Sequence, residues 1–298
     1  MFILVMKKKY SIKKPSGGIC APGIEGKVAT FKDKKTKKSK RKRFTCLDHN
    51  SLMKIVNGLG IKIPKNASDF QIWRLIQKRM AKTCNNEMCW IEKSNLDHYE
   101  KNKIIEHYKP KKPDVWNSRP TEWLDTNNIE NVLNQYQRKH KNFYFVGAVP
   151  IDFDHRYSPT NCVVNELCNI SVRNLLKKGK SNLGVVFNLD KHDEPGSHWV
   201  GMFARLNRGE VGYFDSYGYA APREVVALME KIKQQCSELK QRVTLKFNKI
   251  RHQRKNSECG VYSINFIIKM LEGHDFDTIC RNVIDDDTMN SYRNSFFI

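Results

Sequence analysis

The chain has 298 residues, and 40% of them are hydrophobic, which excludes a globally disordered protein. Its 53 Lys and Arg outnumber 31 Asp and Glu, and the formal net charge of +22 predicts an acidic partner, such as nucleic acid or an anionic surface. No apolar stretch approaches the roughly 18 residues that a membrane span requires. The positive charge at the N-terminus follows the apolar run, which is the reverse of a secretory signal, so we expect a soluble, non-secreted protein.

Nine cysteines are scattered along the chain. Their odd number and the lack of a secretory signal argue against a disulfide framework and predict a reducing compartment. Cys84 and Cys89 could form half of a metal site, but no Cys or His pair at ligand spacing completes it. We therefore predict structural thiols near a helix turn, no metal ion and no organic cofactor.

Residues 1–45 are predicted to form a basic arm. Residues 1–43 hold fifteen Lys and Arg against two acidic residues, and the densest part runs from Lys32 to Arg43. Pro and Gly interrupt a segment with few apolar residues, a composition typical of a disordered tail. Two interpretations stay open, a tail that binds nucleic acid and a solvated tail without a dedicated partner.

Residues 46–140 are predicted to form a helical N-terminal region. Helical periodicity covers Ser51–Leu59 and Ser68–Lys82. A Lys-Pro-rich stretch that ends at Pro113 predicts a break in regular structure. Beyond it, Asn128–Lys139 has the pattern of another helix, which we expect to pack on the domain that follows.

Residues 141–298 change to short apolar runs that alternate with helical patterns. This order predicts an α+β domain with a mixed central sheet flanked by helices. Pro222 is well placed in the first turn of a helix, and a terminal helix is predicted around Asp285 to Asn294. The predicted strands are Phe143–Pro150, Asn182–Leu189, Gly196–Phe203 with His198 at its entrance, Glu210–Ser216 ending on a carboxylate, and Val243–Phe247.

The stretch from Gln253 to Cys259, which opens an apolar helix, carries the strongest chemical signal. A sulfur in the first turn of a helix faces backbone N–H groups and the positive end of the dipole, which favour a thiolate. His198 enters one strand and Asp215 ends the next, so an imidazole can take the thiol proton while a carboxylate fixes its tautomer. Either Gln253 or the nearer amide of Asn256 could donate to the oxyanion.

Three motifs follow one another at His198, Asp215 and Cys259: His-Trp, Phe-Asp-Ser and Gln-(five residues)-Cys-Gly. Their order resembles that of the adenain and ubiquitin-like-protein protease clan of cysteine peptidases. The string from Asn248 to Ser263 is most similar to polyprotein-processing members from large DNA viruses. The resemblance is clear from about Leu183 to the C-terminus. One viral member has Asn in the third place of the triad, whereas this chain has Asp215, as SUMO proteases do.

The resemblance implies a cysteine endopeptidase that cuts viral structural polyproteins after Gly-Gly during virion maturation, in the virion and the host cytoplasm. A narrow channel would explain that preference, because only residues without a Cβ lie flat between close walls. Trp199 would line this channel; packing in the core is its alternative. The alternative function is an isopeptidase that removes SUMO or ubiquitin from host proteins, and a third possibility is a nucleoprotein-binding scaffold with a degenerate site.

Overall fold

The computed structural model describes residues 18–32, 38–207 and 209–298 of the chain. The backbone forms an N-terminal unit, residues 18–110, and a C-terminal unit, residues 111–298. The division falls in the predicted Lys-Pro break and before the predicted boundary at 140/141. The observed boundary lies before the predicted one because the helix over Thr126–Lys139 buries its apolar face in the core of the C-terminal unit. The sequence also predicted that this helix packs on the domain that follows it.

The N-terminal unit contains an antiparallel hairpin of two strands, β1 (Lys27–Lys32) and β2 (Ser39–Thr45). The prediction of a disordered arm is therefore wrong for these residues. Phe31 and Phe44 each pack on Phe70, with ring centroids 5.5 and 5.1 Å apart. These contacts supply the apolar burial that the local composition does not reveal.

The remaining parts of the predicted arm, residues 1–17 and 33–37, lie outside the described residues. After the hairpin, the N-terminal unit is helical, as predicted. Every one of its helices begins with a side chain that accepts a hydrogen bond from a backbone N–H group of the first turn. These helices are α1 (His49–Gly58), α2 (Asp69–Met80), α3 (Glu87–Lys93) and α4 (His98–Ile105).

Six of the nine cysteines form disulfides, with Cα separations of 5.3, 5.6 and 6.8 Å. The prediction against a disulfide framework is therefore wrong, because pairing depends on distances in the folded chain that scattered spacings do not reveal. The pairs are Cys20–Cys46, Cys84–Cys89 and Cys162–Cys168. The free thiols, all buried, are Cys236, Cys259 and Cys280.

A five-stranded mixed sheet forms the centre of the C-terminal unit, and its strands lie side by side in chain order. The first and last pairs of neighbouring strands are parallel, whereas the middle strand of the sheet is antiparallel to both of its neighbours. This arrangement confirms the predicted α+β class with its mixed sheet. The strands are β3 (Phe143–Pro150), β4 (Asn182–Asn188), β5 (Trp199–Arg205), β6 (Glu210–Phe214) and β7 (Thr244–Phe247).

Alternate residues of the strands enter two separate cores, one on each face of the sheet. Among the described residues, no helix combines the length and apolarity needed to cross a membrane. A 3-10 turn at Asp114–Asn117 precedes the helices α5 (Thr126–Lys139), α6 (Asn165–Cys168), α7 (Val172–Lys177), α8 (Arg223–Glu238), α9 (Cys259–Leu271), α10 (Phe276–Arg281), α11 (Asp286–Ser291) and α12 (Arg293–Phe296).

The α9 helix lies deepest in the unit. All of its residues except Leu271 are buried, and it packs against β5 and α5. It begins at Cys259, as the sequence predicts, so the core holds the first turn of this helix in a fixed place. The predicted terminal helix is divided into α11 and α12, which meet at Tyr292.

Labelling of thiols will test the disulfides. When the protein is unfolded without reductant and alkylated, we expect mass spectrometry to find three labels, because only Cys236, Cys259 and Cys280 are free. Prior reduction should raise the count to nine. Nine labels without reduction would instead agree with the reducing compartment that the sequence predicts.

Candidate active site

The sequence-predicted site residues meet at one edge of the sheet. The start of β5 and the end of β6 lie at the same edge because these strands are antiparallel, with Gly201 opposite Phe214. The end of β7 joins them because β6 and β7 are parallel. His198, Asp215 and the loop that leads to Cys259 therefore converge, although the chain separates them widely.

The structure brings His198, Asp215 and Cys259 together in one site. His198 Nε2 lies 2.8 Å from Asp215 Oδ1, and the Cys259 thiol lies near enough to the ring to raise its pKa. Asp215 is fully buried, and its Oδ1 also accepts a hydrogen bond of 2.8 Å from the backbone N–H of Tyr217. Since Nε2 faces the carboxylate, Nδ1 is left for the sulfur.

The charges of this set favour a protonated imidazole beside the sulfur. Burial alone would lower the pKa of His198, but the hydrogen bonds and charges of Asp215 and Cys259 raise this pKa to about 9. At neutral pH, the ring therefore carries a positive charge. A cationic imidazole and the N-terminus of α9 both place positive potential at the Cys259 sulfur.

Of the two candidate oxyanion donors, Gln253 has the more fixed side chain. It is fully buried, and Ser216 Oγ donates a hydrogen bond of 2.6 Å to Gln253 Oε1. This contact orients the amide so that Nε2 lies 2.9 Å from the Lys255 carbonyl and 3.4 Å from the Tyr217 hydroxyl. Asn256 lies in the same loop but is exposed, so its side chain is less fixed, and the role of Gln253 as oxyanion donor stays a prediction.

Trp199 lies in the packed core, with 5% of its surface exposed. Its indole N–H donates a hydrogen bond of 2.8 Å to the Leu124 carbonyl. A Cβ added to Gly260 would lie 3.0 Å from Leu124 Cβ and 3.3 Å from Trp199 Cδ1, so a glycine after Cys259 lets this helix end approach the indole. The burial favours packing, and contact between Trp199 and substrate stays a prediction.

Sequence reasoning missed Tyr217. Its ring stacks on the His198 imidazole, with centroids 4.9 Å apart and an angle of 29° between the planes. Its hydroxyl donates a hydrogen bond of 2.8 Å to the Lys255 carbonyl. The ring thus covers one face of the imidazole. Its position two residues after Asp215, in the same turn, was the one feature of the sequence that could have indicated a place beside the imidazole.

Asp286, at the first turn of α11, was also missed. One of its carboxylate oxygens accepts hydrogen bonds from the backbone N–H groups of Arg254 and Lys255, at 2.9 and 3.0 Å. It thereby fixes the loop on which Gln253 lies. No local pattern marks this residue, because its partners belong to a distant segment.

A buried positive charge lies near the nucleophile. Arg293 is 3% exposed, its guanidinium lies 4.6 Å from the Trp116 ring centroid, and one nitrogen is 3.4 Å from the Ser257 carbonyl. Burial lowers the pKa of Arg293 to about 10, and the charges of Glu258 and Cys259 oppose that shift. Arg293 therefore stays cationic at neutral pH and adds positive potential around the site.

These side chains supply a nucleophile, a base, a group that orients the base, and an amide donor, which together suffice for acyl transfer through a thioester. Within residues 18–32, 38–207 and 209–298, no cluster of His, Cys, Asp and Glu side chains is placed to hold a metal ion.

Comparison with known proteins gives the same class. Residues 180–297 match the Ulp1 protease family, C-terminal catalytic domain. A protein of Acanthamoeba polyphaga mimivirus, named as a thiol protease, is 39% identical over 181 residues, which are 60% of this chain and 58% of that protein. Proteins of two African swine fever virus isolates, named cysteine protease and SUMO-1 cysteine protease, are each 29% identical over 254 residues, covering 80% of this chain and 90% of their own.

The fold agrees as well. A crystal structure of the African swine fever virus protease matches with a TM-score of 0.65 and 23% identity, over 95% of this chain and 97% of that one. The chain thus shares the fold of that protease, and its C-terminal unit holds the side chains that a cysteine peptidase requires. The match of residues 180–297 to the Ulp1 protease family agrees with the resemblance found in the sequence.

The charge on His198 can be tested by NMR. Because the pKa in the folded protein lies above its ordinary value of 6.5, the ring should stay protonated from pH 6.5 to about 9. The stability that this proton confers is complete below pH 6.5 and is lost as the pH rises through about 9. In Cys259→Ser, which removes the negative partner, the titration midpoint should fall.

His252 supplies the internal control for this titration. It is buried, its Nε2–H donates a hydrogen bond of 2.9 Å to the Cys280 carbonyl, and burial lowers its pKa. Its titration should therefore lie below pH 6.5 in both proteins. A wild-type His198 that titrates near 6.5, or a midpoint that Cys259→Ser leaves unchanged, would contradict the ion pair.

Proposed function

We propose that this protein is a cysteine endopeptidase of a large DNA virus that cuts viral structural polyproteins after Gly-Gly during virion maturation. The observation that carries the proposal is the 2.8 Å contact between His198 and Asp215 in a site that also holds the Cys259 thiol. The protease names of relatives from two large DNA viruses support it. On this proposal, the protein acts in the virion and in the host cytoplasm.

Each step of the reaction has a group to perform it. The Cys259 thiolate attacks the carbonyl carbon of the scissile bond, and the electron pair of the C=O bond moves to oxygen. The amide of Gln253 and the backbone N–H of Cys259 hold this oxyanion. His198 gives its proton to the leaving amine as the C–N bond breaks, which leaves a thioester.

The second half of the reaction restores the enzyme. His198, now neutral, takes a proton from water, and the hydroxide oxygen attacks the thioester carbonyl. The C–S bond breaks, which forms the thiolate and the imidazolium again, and the carboxylic acid product leaves and loses its proton to solvent. Asp215 holds the imidazole in one orientation through both halves and becomes neither acid nor base.

The proposed Gly-Gly specificity agrees with the confined site. Cys259 is 2% exposed, and the side chain of His198 is 11% exposed beneath the ring of Tyr217. A peptide must therefore present its carbonyl carbon in little space. Glycine meets this requirement because it has no Cβ and adopts a wide range of backbone angles.

An isopeptidase that removes SUMO or a similar modifier is the second candidate. It requires the same three side chains, and two observations favour it. One African swine fever virus relative carries the name SUMO-1 cysteine protease, and Asp215 is the acid that SUMO proteases use. A binding scaffold with a degenerate site agrees less well with the site, because its hydrogen bonds are intact.

The exposed face of β2 supports nucleic-acid binding as a further part of the proposal. Lys40, Arg41, Lys42 and Arg43 lie in succession on this strand, and all are exposed. Neighbouring cations on a strand can neutralise successive phosphates and release their counterions. This hairpin could hold the enzyme on a viral nucleoprotein.

A cleavage assay separates the two candidates. Gly-Gly-Xaa peptides and C-terminal fluorogenic SUMO and ubiquitin are offered to the wild type, and kcat/KM is measured for each. Polyprotein processing predicts that the peptides are cut and the modifiers are not. Deconjugation predicts the reverse, because it depends on the folded surface of the modifier.

Two variants assign the cleavage to the site. Cys259→Ser should lower kcat by on the order of 10³-fold or more, because the hydroxyl is a far weaker nucleophile. Cys236→Ser removes another buried thiol in the opposite core and should keep activity. Equal activity in wild type and Cys259→Ser, or no cleavage of any substrate by the wild type, would reject the proposed enzyme.

Binding to duplex DNA tests the hairpin. Replacing Lys40, Arg41 and Lys42 by Glu should weaken binding and reduce the slope of log K against log salt by about 2 to 3. A control that changes Lys62, Lys65 and Lys82 of the same unit to Glu alters the net charge equally. Equal losses in the two variants would show that net charge, and not the hairpin, governs binding.

A further inference from the structure

The loop between β7 and α9 carries a row of cations beside the candidate site. Lys249, Arg251, Arg254 and Lys255 are all exposed, and together we call them the cationic rim. Among the described residues, only Lys255 forms an ion pair within the rim, and its partner is Asp287. The other three charges are therefore available to a bound molecule.

The turn after Asp215 fixes the position of the rim. Gly218 has a φ of +74°, and a Cβ there would lie 3.0 to 3.1 Å from backbone atoms of residues 249–251. Asn248 Nδ2 donates hydrogen bonds to the carbonyls of Asp215 and Ile250, at 2.8 and 2.9 Å. The backbone of the rim is thus held directly against the catalytic turn.

Aromatic contacts connect the rim to the imidazole. The Arg251 guanidinium lies 5.5 Å from the centroid of the Tyr217 ring, and the same ring stacks on His198 with 4.9 Å between centroids. The cation therefore lies within about one Debye length of the imidazole, which is ~10 Å at 0.1 M salt. A substrate bound at the sulfur passes through the field of the rim.

The cations inside the site face acidic groups. His198 faces Asp215, and the buried Arg293 faces Glu258 and Cys259. Beside the rim, Asp287 pairs with Lys255 and Asp286 accepts from the backbone of Arg254 and Lys255, but among the described residues Lys249, Arg251 and Arg254 form no ion pair. We propose that the cationic rim selects substrates with acidic residues next to the scissile bond. This inference rests on the proposed peptidase function and names the charge of its substrate.

A protein substrate fits the rim better than nucleic acid does. The rim borders the groups that would act on a peptide carbonyl, so the chain that passes it in a peptidase is the substrate. The exposed strand β2 already offers a separate row of cations for phosphates. We therefore assign the rim to acidic side chains of the polypeptide that is cut.

The test uses peptides that differ in charge at one position. Each position next to Gly-Gly is occupied in turn by Asp, by Asn, which has the same shape without the charge, and by Lys. The ratio of kcat/KM for the Asp peptide to that for the Asn peptide is the readout. For exposed ion pairs, we expect a ratio of about two to ten at one or more positions, falling as salt is added.

Charge reversal then locates the effect. In Lys249→Glu/Arg254→Glu, the preference should disappear or turn toward the Lys peptide, whatever the change in overall rate. Lys177→Glu/Lys178→Glu is the matched control, with the same change in net charge. Its positions are exposed and precede the start of β4, at the sheet edge opposite the site, so it should keep the wild-type ratio.

Three outcomes would overturn the inference. Equal cleavage of Asp and Asn peptides at every position rejects charge selection but keeps the peptidase. If Lys249→Glu/Arg254→Glu keeps the preference for the Asp peptide, the rim is not the source of that preference. If this variant also loses affinity for duplex DNA, the rim binds nucleic acid instead. If the wild type cuts no peptide and no modifier, the proposed function fails, and the inference fails with it.

Discussion

The hydrogen bond between His198 and Asp215 is the contact on which the site depends. A fully buried carboxylate is unfavourable unless hydrogen bonds and an opposite charge compensate for its lost hydration. Asp215 has both, from the imidazole and from the backbone N–H of Tyr217. The same contact fixes the ring so that its other nitrogen faces Cys259. One hydrogen bond therefore both stabilises the buried Asp215 carboxylate and orients the His198 ring.

The sheet makes this contact possible because it brings separate strand ends to one edge. His198 precedes β5, Asp215 follows β6, and the loop after β7 continues into the buried helix α9. The loop is then tied to the catalytic turn, since the backbone N–H groups of His252 and Gln253 both donate to the Ser216 carbonyl at 2.8 Å. A shift of one strand would separate the nucleophile from its base.

The sequence predicted those parts of the structure whose signals are local. Buried strands such as β4 are continuous apolar runs, and the start of α9 follows from the residues around Cys259. The hairpin β1–β2 was missed because its aromatic residues pack on Phe70, a distant partner. Asp286 and Arg293 were missed for the same reason, since their effect on the site depends on tertiary contacts that no spacing encodes. The disulfides and the domain boundary also depend on which segments meet after folding.

The positive charges of the C-terminal unit act in two ways that burial separates. Arg293 and protonated His198 lie in the interior, where the low dielectric strengthens their attraction for a thiolate. Lys249 and Arg254 lie in water, where the same unit charge acts weakly, over a longer range, and in a way that salt screens. Interior charges of this kind favour a reactive sulfur whatever the substrate is, whereas exposed charges can only discriminate between chains that approach it. Reactivity and choice of substrate can therefore change independently in this fold, because different cations control them.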